Sequence, residues 1–397
     1  MNNTSSVERI NISFFGAVNS GKSSLMNAIT AQEISIVSDI KGTTTDPVRK
    51  AVELLPIGAV MLYDTAGFDD ESPASELRMK KTKEILRITD LAVLVTDITS
   101  EMSNSDNDML EAFKQQGIPY IIVHSKADLN QQKKIYPYGE AAVSSKTGSG
   151  IEELKELICS VYLKSLDENK PLYKNVTDGL AAHKSVVILV TPIDASAPKG
   201  RLILPQVQTI RSLLDSFAVT MTVQPSELST ALEILCRKPD LVITDSQAFS
   251  YVKDIVPNDV PLTSFSILFA RYKGMLPQVL EGIRSLKYVN DGECILISEG
   301  CTHHRQCGDI ARDKLPLWIE NFTKKKLNFE FTSGGTFPED LRKYALIVHC
   351  GGCMLSSREI DYRRRLAKSQ GIPFTNYGIL ISAINGMLER SIRFIQK

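Results

Sequence analysis

Short apolar runs alternate with longer stretches of helical spacing along the chain. Ile10 to Phe15, Ala59 to Tyr63 and Ile121 to Val123 have strand length, and the first leads into an apolar-periodic helix. Asp167-Glu168-Asn169-Lys170-Pro171 interrupts the alternation as a charged linker. Beyond it the pattern predicts a strand at Val186 to Val190, a helix at Leu204 to Leu214, a strand at Ala218 to Val223, a helix at Glu227 to Leu235 and a strand at Leu241 to Thr244. Strands follow at Cys294 to Ser298 and Tyr344 to Val348, with a helical pattern from Ile310 to Phe322 between them. A short last strand within Gly371 to Asn376 precedes a C-terminal helix from Ile379. The prediction is three α/β domains at 1–170, 175–270 and 271–397, the last two with small parallel sheets. Val219, Met221 and Val223 alternate with Thr220 and Thr222, which suits a sheet edge and, as a further expectation, pairing across a homodimer.

Composition narrows the class. A chain of 397 residues that is 43% hydrophobic has material for several cores. Its 46 basic and 46 acidic residues leave no formal net charge, so no nucleic-acid partner is expected from bulk attraction. The start, MNNTSSVERI, has no apolar signal core, and no apolar run approaches the ~20 residues of a spanning helix. The expectation is a cytoplasmic protein with no membrane partner, whose seven cysteines are thiols or ligands.

The first strand runs into Gly16-Ala17-Val18-Asn19-Ser20-Gly21-Lys22-Ser23, a GxxxxGKS loop in its required strand–loop–helix setting, which predicts a P-loop GTPase fold for the first domain. Backbone N–H groups of such a loop cradle phosphates. Gly16, Asn19, Ser20, Gly21, Lys22, Ser23 and Ser24 form the expected phosphate site, with Lys22 on the β and γ phosphates and Ser23 on Mg2+. Gly42-Thr43-Thr44-Thr45-Asp46 is suited to close over the γ-phosphate, with Thr44 as the Mg2+ contact and Thr43 as the alternative. Asp64-Thr65-Ala66-Gly67 supplies Asp64 for a Mg2+-bound water and the Gly67 N–H for the γ-phosphate. Lys22, Thr44, Asp64 and Gly67 are thus the expected catalytic set. Ser125-Lys126-Ala127-Asp128 occupies the slot of a guanine-reading NKxD. Asp128 accepts there from guanine N1 and N2 hydrogens, and Ser144-Ser145-Lys146 fits the last base-contacting loop.

These motifs, in this order, resemble the TrmE–Era class of GTPases. The resemblance implies a K+ ligand at Asn19. It also implies slow intrinsic turnover, since Phe68 stands where Ras-like proteins place a water-orienting glutamine. Two positions depart from the class. Ser125 replaces the asparagine of NKxD, which touches both guanine N7 and the P-loop, and Thr45 replaces a common arginine.

Near the other end, His349-Cys350-Gly351-Gly352-Cys353 lies between a strand and Ser356-Ser357-Arg358-Glu359, whose spacing opens a helix. The strand Cys294 to Ser298 likewise ends in Glu299-Gly300-Cys301-Thr302-His303-His304. If the two strands are parallel neighbours, both loops leave one sheet edge, and Cys301, His303 or His304, His349, Cys350 and Cys353 converge. Counting donors leaves zinc and an iron–sulfur cluster equally open. Arg363-Arg364-Arg365 reads as a solvated helix face, or as a dock for an acidic partner.

CxH followed by HCxxC behind a TrmE–Era-like domain is similar to the HydF family of FeFe-hydrogenase maturation GTPases, over essentially the whole chain. The resemblance implies a 4Fe–4S cluster on Cys301, Cys350 and Cys353, an exchangeable ligand on the fourth iron, and His303 and His349 as ligands or supporting groups. Cys307 is not required. It further implies a scaffold that receives a di-iron subcluster precursor from the radical S-adenosylmethionine maturases HydE and HydG. The precursor passes to the apo FeFe-hydrogenase HydA, with GTP and GDP states tuning partner affinity and a homodimer formed through the middle domain. A ribosome- or tRNA-associated GTPase with structural zinc, and a GTP-coupled iron–sulfur redox sensor, are the competing expectations.

Overall fold

The computed structural model describes residues 9–31, 48–65, 75–129, 135–168, 173, 175–193, 202–300, 310–352 and 355–395. It divides into two compact units, Met1–Lys170 with Ser356–Glu359, and Pro171–Leu355 with Ile360–Lys397.

The first unit is built on β1 (Ile10–Phe15), β2 (Val48–Leu54), β3 (Gly58–Asp64), β4 (Leu91–Asp97), β5 (Tyr120–Ser125) and β6 (Glu140–Ala142). Their order is β2-β3-β1-β4-β5-β6, parallel except for the β2–β3 pair. Central strands of such a sheet are covered on both faces and so are continuously apolar. In β4, Leu91 to Thr96 are all buried. Ile12 and Phe14 pack with Leu25 and Ile29 on one face, while Phe15 packs with Met61 and Phe113 on the other. Strand β2 is not anticipated by periodicity. It is an edge strand whose Val-Arg-Lys-Ala-Val-Glu-Leu tolerates charge because one face meets solvent.

The second unit holds two four-stranded sheets. One comprises β7 (Val186–Val190), β8 (Val219–Val223), β9 (Leu241–Thr244) and β10 (Leu262–Ser264), in the parallel order β10-β9-β7-β8. The other comprises β11 (Cys294–Ser298), β12 (Asn328–Thr332), β13 (Tyr344–His349) and β14 (Phe374–Asn376), in the parallel order β12-β11-β13-β14. Both sheets contribute to one apolar cluster, from Val187 and Ile243 to Leu296 and Ile347. Strand β8 lies at a sheet edge, as its alternation requires, with Val219 exposed. Two helices begin beside prolines. Pro225 opens a 3-10 turn before the Leu228–Ile234 helix, and Pro316 stands at the start of the Leu315–Thr323 helix, after a π turn at Ile310–Lys314. Among the described residues no helix is long and apolar enough to cross a membrane.

The Leu276–Ser285 helix lies directly on β14. A Cβ at Gly282 would stand 2.1 Å from the Phe374 carbonyl oxygen, and Thr375 Oγ1 donates to the Val279 carbonyl at 2.9 Å. Backbone cannot yield as a side-chain tip can, so Gly282→Ala should lower unfolding stability by roughly 1–3 kcal/mol. Gly335→Ala, with open space around its Cβ, should stay within about 0.5 kcal/mol. Denaturant midpoints of the two variants beside the parent check this; equal midpoints contradict it.

Candidate functional site

Chemistry in the first unit gathers at the C-terminal ends of β1, β3, β4 and β5, because parallel strands release their loops at one edge. The P-loop turns through left-handed backbone at Gly16 (φ 147°), Asn19 (φ 64°) and Gly21 (φ 97°). Gly16 is required by space as well, since a Cβ there would lie 2.2 Å from the Val95 carbonyl oxygen. Lys22, buried, donates from Nζ to the carbonyls of Gly16 (2.8 Å) and Ala17 (2.6 Å), so its ammonium is held over the loop. Ser24 is exposed beside Ser23 at the start of the Lys22–Ala31 helix.

Asp64 ends β3 opposite Phe14, and Thr65 Oγ1 donates to the Phe14 carbonyl at 2.6 Å. Ser23 Oγ donates to Asp64 Oδ2, while Asp64 Oδ1 is buried with no hydrogen-bond partner among the described residues. Burial pushes the Asp64 carboxyl up, and the Ser23 hydrogen bond and the Lys22 charge pull it back. A hydroxyl and a buried carboxylate oxygen with spare acceptor capacity are the hard donors that Mg2+ takes.

On the side of the Ser125–Asp128 motif, Asp97 ends β4 opposite Ser125, which ends β5. Ser125 Oγ lies 2.5 Å from the Ser20 carbonyl and 3.0 Å from that of Thr96. The P-loop tie expected of an asparagine is therefore made by a serine. Lys126, at φ 60°, donates from Nζ to Asp97 Oδ2 at 2.5 Å. Partial burial disfavours the charged Asp97, but hydrogen bonds from Lys126 and Thr99 hold it down at about 2. Asp97 is not singled out by any motif; its register with Ser125 is the signal. Ser144 Oγ donates to Asp128 Oδ1 at 2.7 Å, which lowers the Asp128 carboxyl and aims it. Ser145 is half-buried and Lys146 exposed in the same loop. Thr43, Thr44, Gly67 and Phe68 lie outside the described residues.

In the second unit, β11 and β13 are parallel neighbours, with Ser298 opposite His349. Their following loops therefore leave the same edge, as expected. The Cys350 N–H donates to the Ser298 carbonyl at 2.8 Å, extending the ladder. Cys350 Sγ accepts from the backbone N–H of Gly300 (2.9 Å) and of Gly352 (3.3 Å). Gly352 takes φ 63°, the conformation that favours glycine, and a Cβ there would also push on Ile360 Cδ1, 2.5 Å away. The Glu359 N–H is capped by Ser356 Oγ at 3.2 Å, as the capping spacing predicts. Cys301, His303, His304, Cys307 and Cys353 lie outside the described residues.

His349 is buried, and its ring stacks on Phe374 with centroids 5.7 Å apart. Nδ1 lies 2.7 Å from the Cys350 carbonyl oxygen and Nε2 lies 3.3 Å from Arg363 Nη1. Burial, reinforced by the Arg363 charge, pushes the imidazole down to about 3, so the ring is neutral. Arg363 corrects the sequence reading of a solvated basic face. Its side chain is fully buried, whereas Arg364 and Arg365 pair with Asp361 on the same Ser357–Ser369 helix. Helical spacing turns the first arginine inward while its neighbours stay at the surface.

Among known proteins, residues 11–126 match a family described as 50S ribosome-binding GTPase, so the first unit carries a GTPase domain. The tRNA modification GTPase MnmE of Clostridioides difficile (strain 630) is 34% identical over 42% of this chain and 41% of its own length. MnmE of Aquifex aeolicus (strain VF5) is 31% identical over 46% and 41% respectively. The chain thus spans about two-fifths of the length of these relatives. Among solved structures, the G domain of the T. maritima FeoB iron transporter is 25% identical over 39% of this chain and 99% of that one, with a TM-score of 0.31. The remainder of the chain is more particular: residues 176–274 match the hydrogen maturase F dimerization domain and 277–394 the hydrogen maturase F tetramerization domain. With both of these domains behind a GTPase domain, the chain belongs to the hydrogen maturase F family.

Proposed function

We propose that the chain is a GTP-hydrolysing scaffold of FeFe-hydrogenase maturation, which holds a 4Fe–4S cluster on Cys301, Cys350 and Cys353 and carries a di-iron precursor as cargo. The carrying observation is the pairing of β11 with β13, which sets Cys350 Sγ against the N–H of Gly300, the chain neighbour of Cys301. Two backbone N–H groups point at one sulfur, the hydrogen bonding that supports a sulfur ligand from outside a metal site. The donor chemistry therefore suits the cluster, which when bound supplies an iron with an exchangeable position for cargo. The maturases HydE and HydG, as donors, and the apo-hydrogenase HydA, as acceptor, belong to this reading. So does self-association through the dimerization and tetramerization domains.

In the first unit, Lys22 neutralises the phosphates, Ser23, Asp64 and Thr44 serve Mg2+ and its waters, and the Gly67 N–H senses the γ-phosphate. Asp128, oriented by Ser144, reads guanine with support from Ser145 and Lys146. Asn19 would hold K+ beside the phosphates. Hydrolysis then changes the loops around Thr44 and Gly67 and with them the affinity for partners.

Lys22→Ala should abolish GTP hydrolysis and remove any difference in partner affinity between the GTP and GDP states. Equal hydrolysis in parent and variant would overturn the nucleotide roles. Ser125→Ala removes one buried hydrogen bond to the P-loop and should weaken GDP binding by roughly 5–10-fold, about 1–1.5 kcal/mol. Fluorescent-nucleotide titration reads this directly, with ADP as the selectivity control.

Anaerobically purified parent should be brown and contain about four irons with matching sulfide per chain. Cys350→Ser should lose most of that iron, while replacing the exposed Cys236 by serine should lose none. A colourless, zinc-containing parent would defeat the cluster reading.

A further inference from the structure

We propose that Arg363 and His349 form a buried lock that fixes the Cys350 turn, making both positioning residues and keeping His349 off the iron. This rests on the cluster reading above.

Partner chemistry decides the state of the imidazole. A backbone carbonyl only accepts, so the nitrogen 2.7 Å from the Cys350 oxygen, Nδ1, carries the proton and donates. A guanidinium only donates, so Nε2, 3.3 Å from Arg363 Nη1, presents its lone pair to that group. Both ring nitrogens are committed within the protein. Iron ligation through Nε2 would take the lone pair from a guanidinium that is itself fully buried. Ligation through Nδ1 would strip its proton and leave the Cys350 carbonyl without its donor. Either exchange breaks a hydrogen bond that the buried imidazole makes within the protein, so ligation by His349 competes with the hold on the Cys350 turn.

Arg363 is in turn held from several sides. Nη1 also donates to Ser298 Oγ at 3.2 Å and Nη2 to the Gly334 carbonyl at 2.7 Å, while the guanidinium lies over Phe337, 5.0 Å from the ring centroid. Ser298 Oγ further accepts from Thr332 Oγ1 at 3.0 Å. One guanidinium thus joins the ends of β11 and β13 to the segment after β12. Through His349 it fixes the carbonyl of Cys350, whose N–H and Sγ are fixed by Ser298, Gly300 and Gly352. Cys350 is consequently held at its amide, its carbonyl and its sulfur, with the carbonyl hold passing through Arg363.

The test uses full-length protein labelled with 15N-histidine. In the metal-free parent, long-range 1H–15N NMR should show His349 as the Nδ1–H tautomer with Nε2 an acceptor, and Arg363→Met should shift the Nε2 resonance. After anaerobic reconstitution with iron and sulfide, pulsed EPR of the reduced cluster should give the same histidine-nitrogen couplings in the parent and in His349→Gln. Arg363→Met should release iron to a chelator several-fold faster than the parent, with Arg363→Lys, which keeps the charge but not the fork, in between. A directly coordinated coupling lost in His349→Gln, or an Nε2–H tautomer in the parent, overturns the proposal. So does an Arg363→Met protein with unchanged His349 resonances. Should Arg363→Met not fold, the parent tautomer and the His349→Gln comparison still decide it. A parent that binds no iron removes the cluster reading, while the metal-free spectra still judge the lock.

Discussion

The parallel ladder that sets Ser298 beside His349 is the constraint on which the cysteine turn depends. Alternate residues of a strand face opposite sides, so a slip of one position would carry His349 to the other face of β13 and away from Arg363. The flanking strands and the apolar faces of β11 and β13, buried on both sides, hold that register. The chemistry at the strand ends is thus specified by hydrophobic packing several residues away. The glycine-rich turn then needs only to aim one sulfur, and two N–H groups and a positive-φ glycine do so.

The nucleotide unit applies the same geometry. Its P-loop, Asp64, and the Asp97, Ser125 and Lys126 group sit at the ends of adjacent parallel strands, and their separation is set by register pairs such as Phe14 with Asp64 and Asp97 with Ser125. The serine in place of the NKxD asparagine shows how such a frame absorbs a substitution. The short side chain reaches the Ser20 carbonyl because β5 brings its backbone close to the P-loop, where a Cβ on Gly21 would already touch Ser125 at 3.4 Å.

Much of this was legible in the chain. Buried central strands such as β1, β7, β9 and β11 announce themselves as unbroken apolar runs, while the adjacency of β11 and β13 enters the sequence reading only as a condition, which the structure meets. Two edge strands were not legible, unlike the alternating β8: β2 and β12 mix charge with apolar residues because one face is wet, and periodicity has little to grip there. Arg363 was misread for a different reason. Composition sees three consecutive arginines, whereas the 3.6-residue turn separates them into one interior and two surface positions. Asp97 was missed because its partner, Lys126, is distant in sequence and meets it only through strand pairing.

The apolar cluster common to both sheets of the second unit has a mechanical consequence. Gly378, on the Tyr377–Ile384 helix, approaches Ser266 so closely that a Cβ would stand 2.1 Å from its Cβ, and both sheets donate side chains to the same interior. The two sheets therefore share one interior, so a cavity opened beneath either one draws on the packing of both.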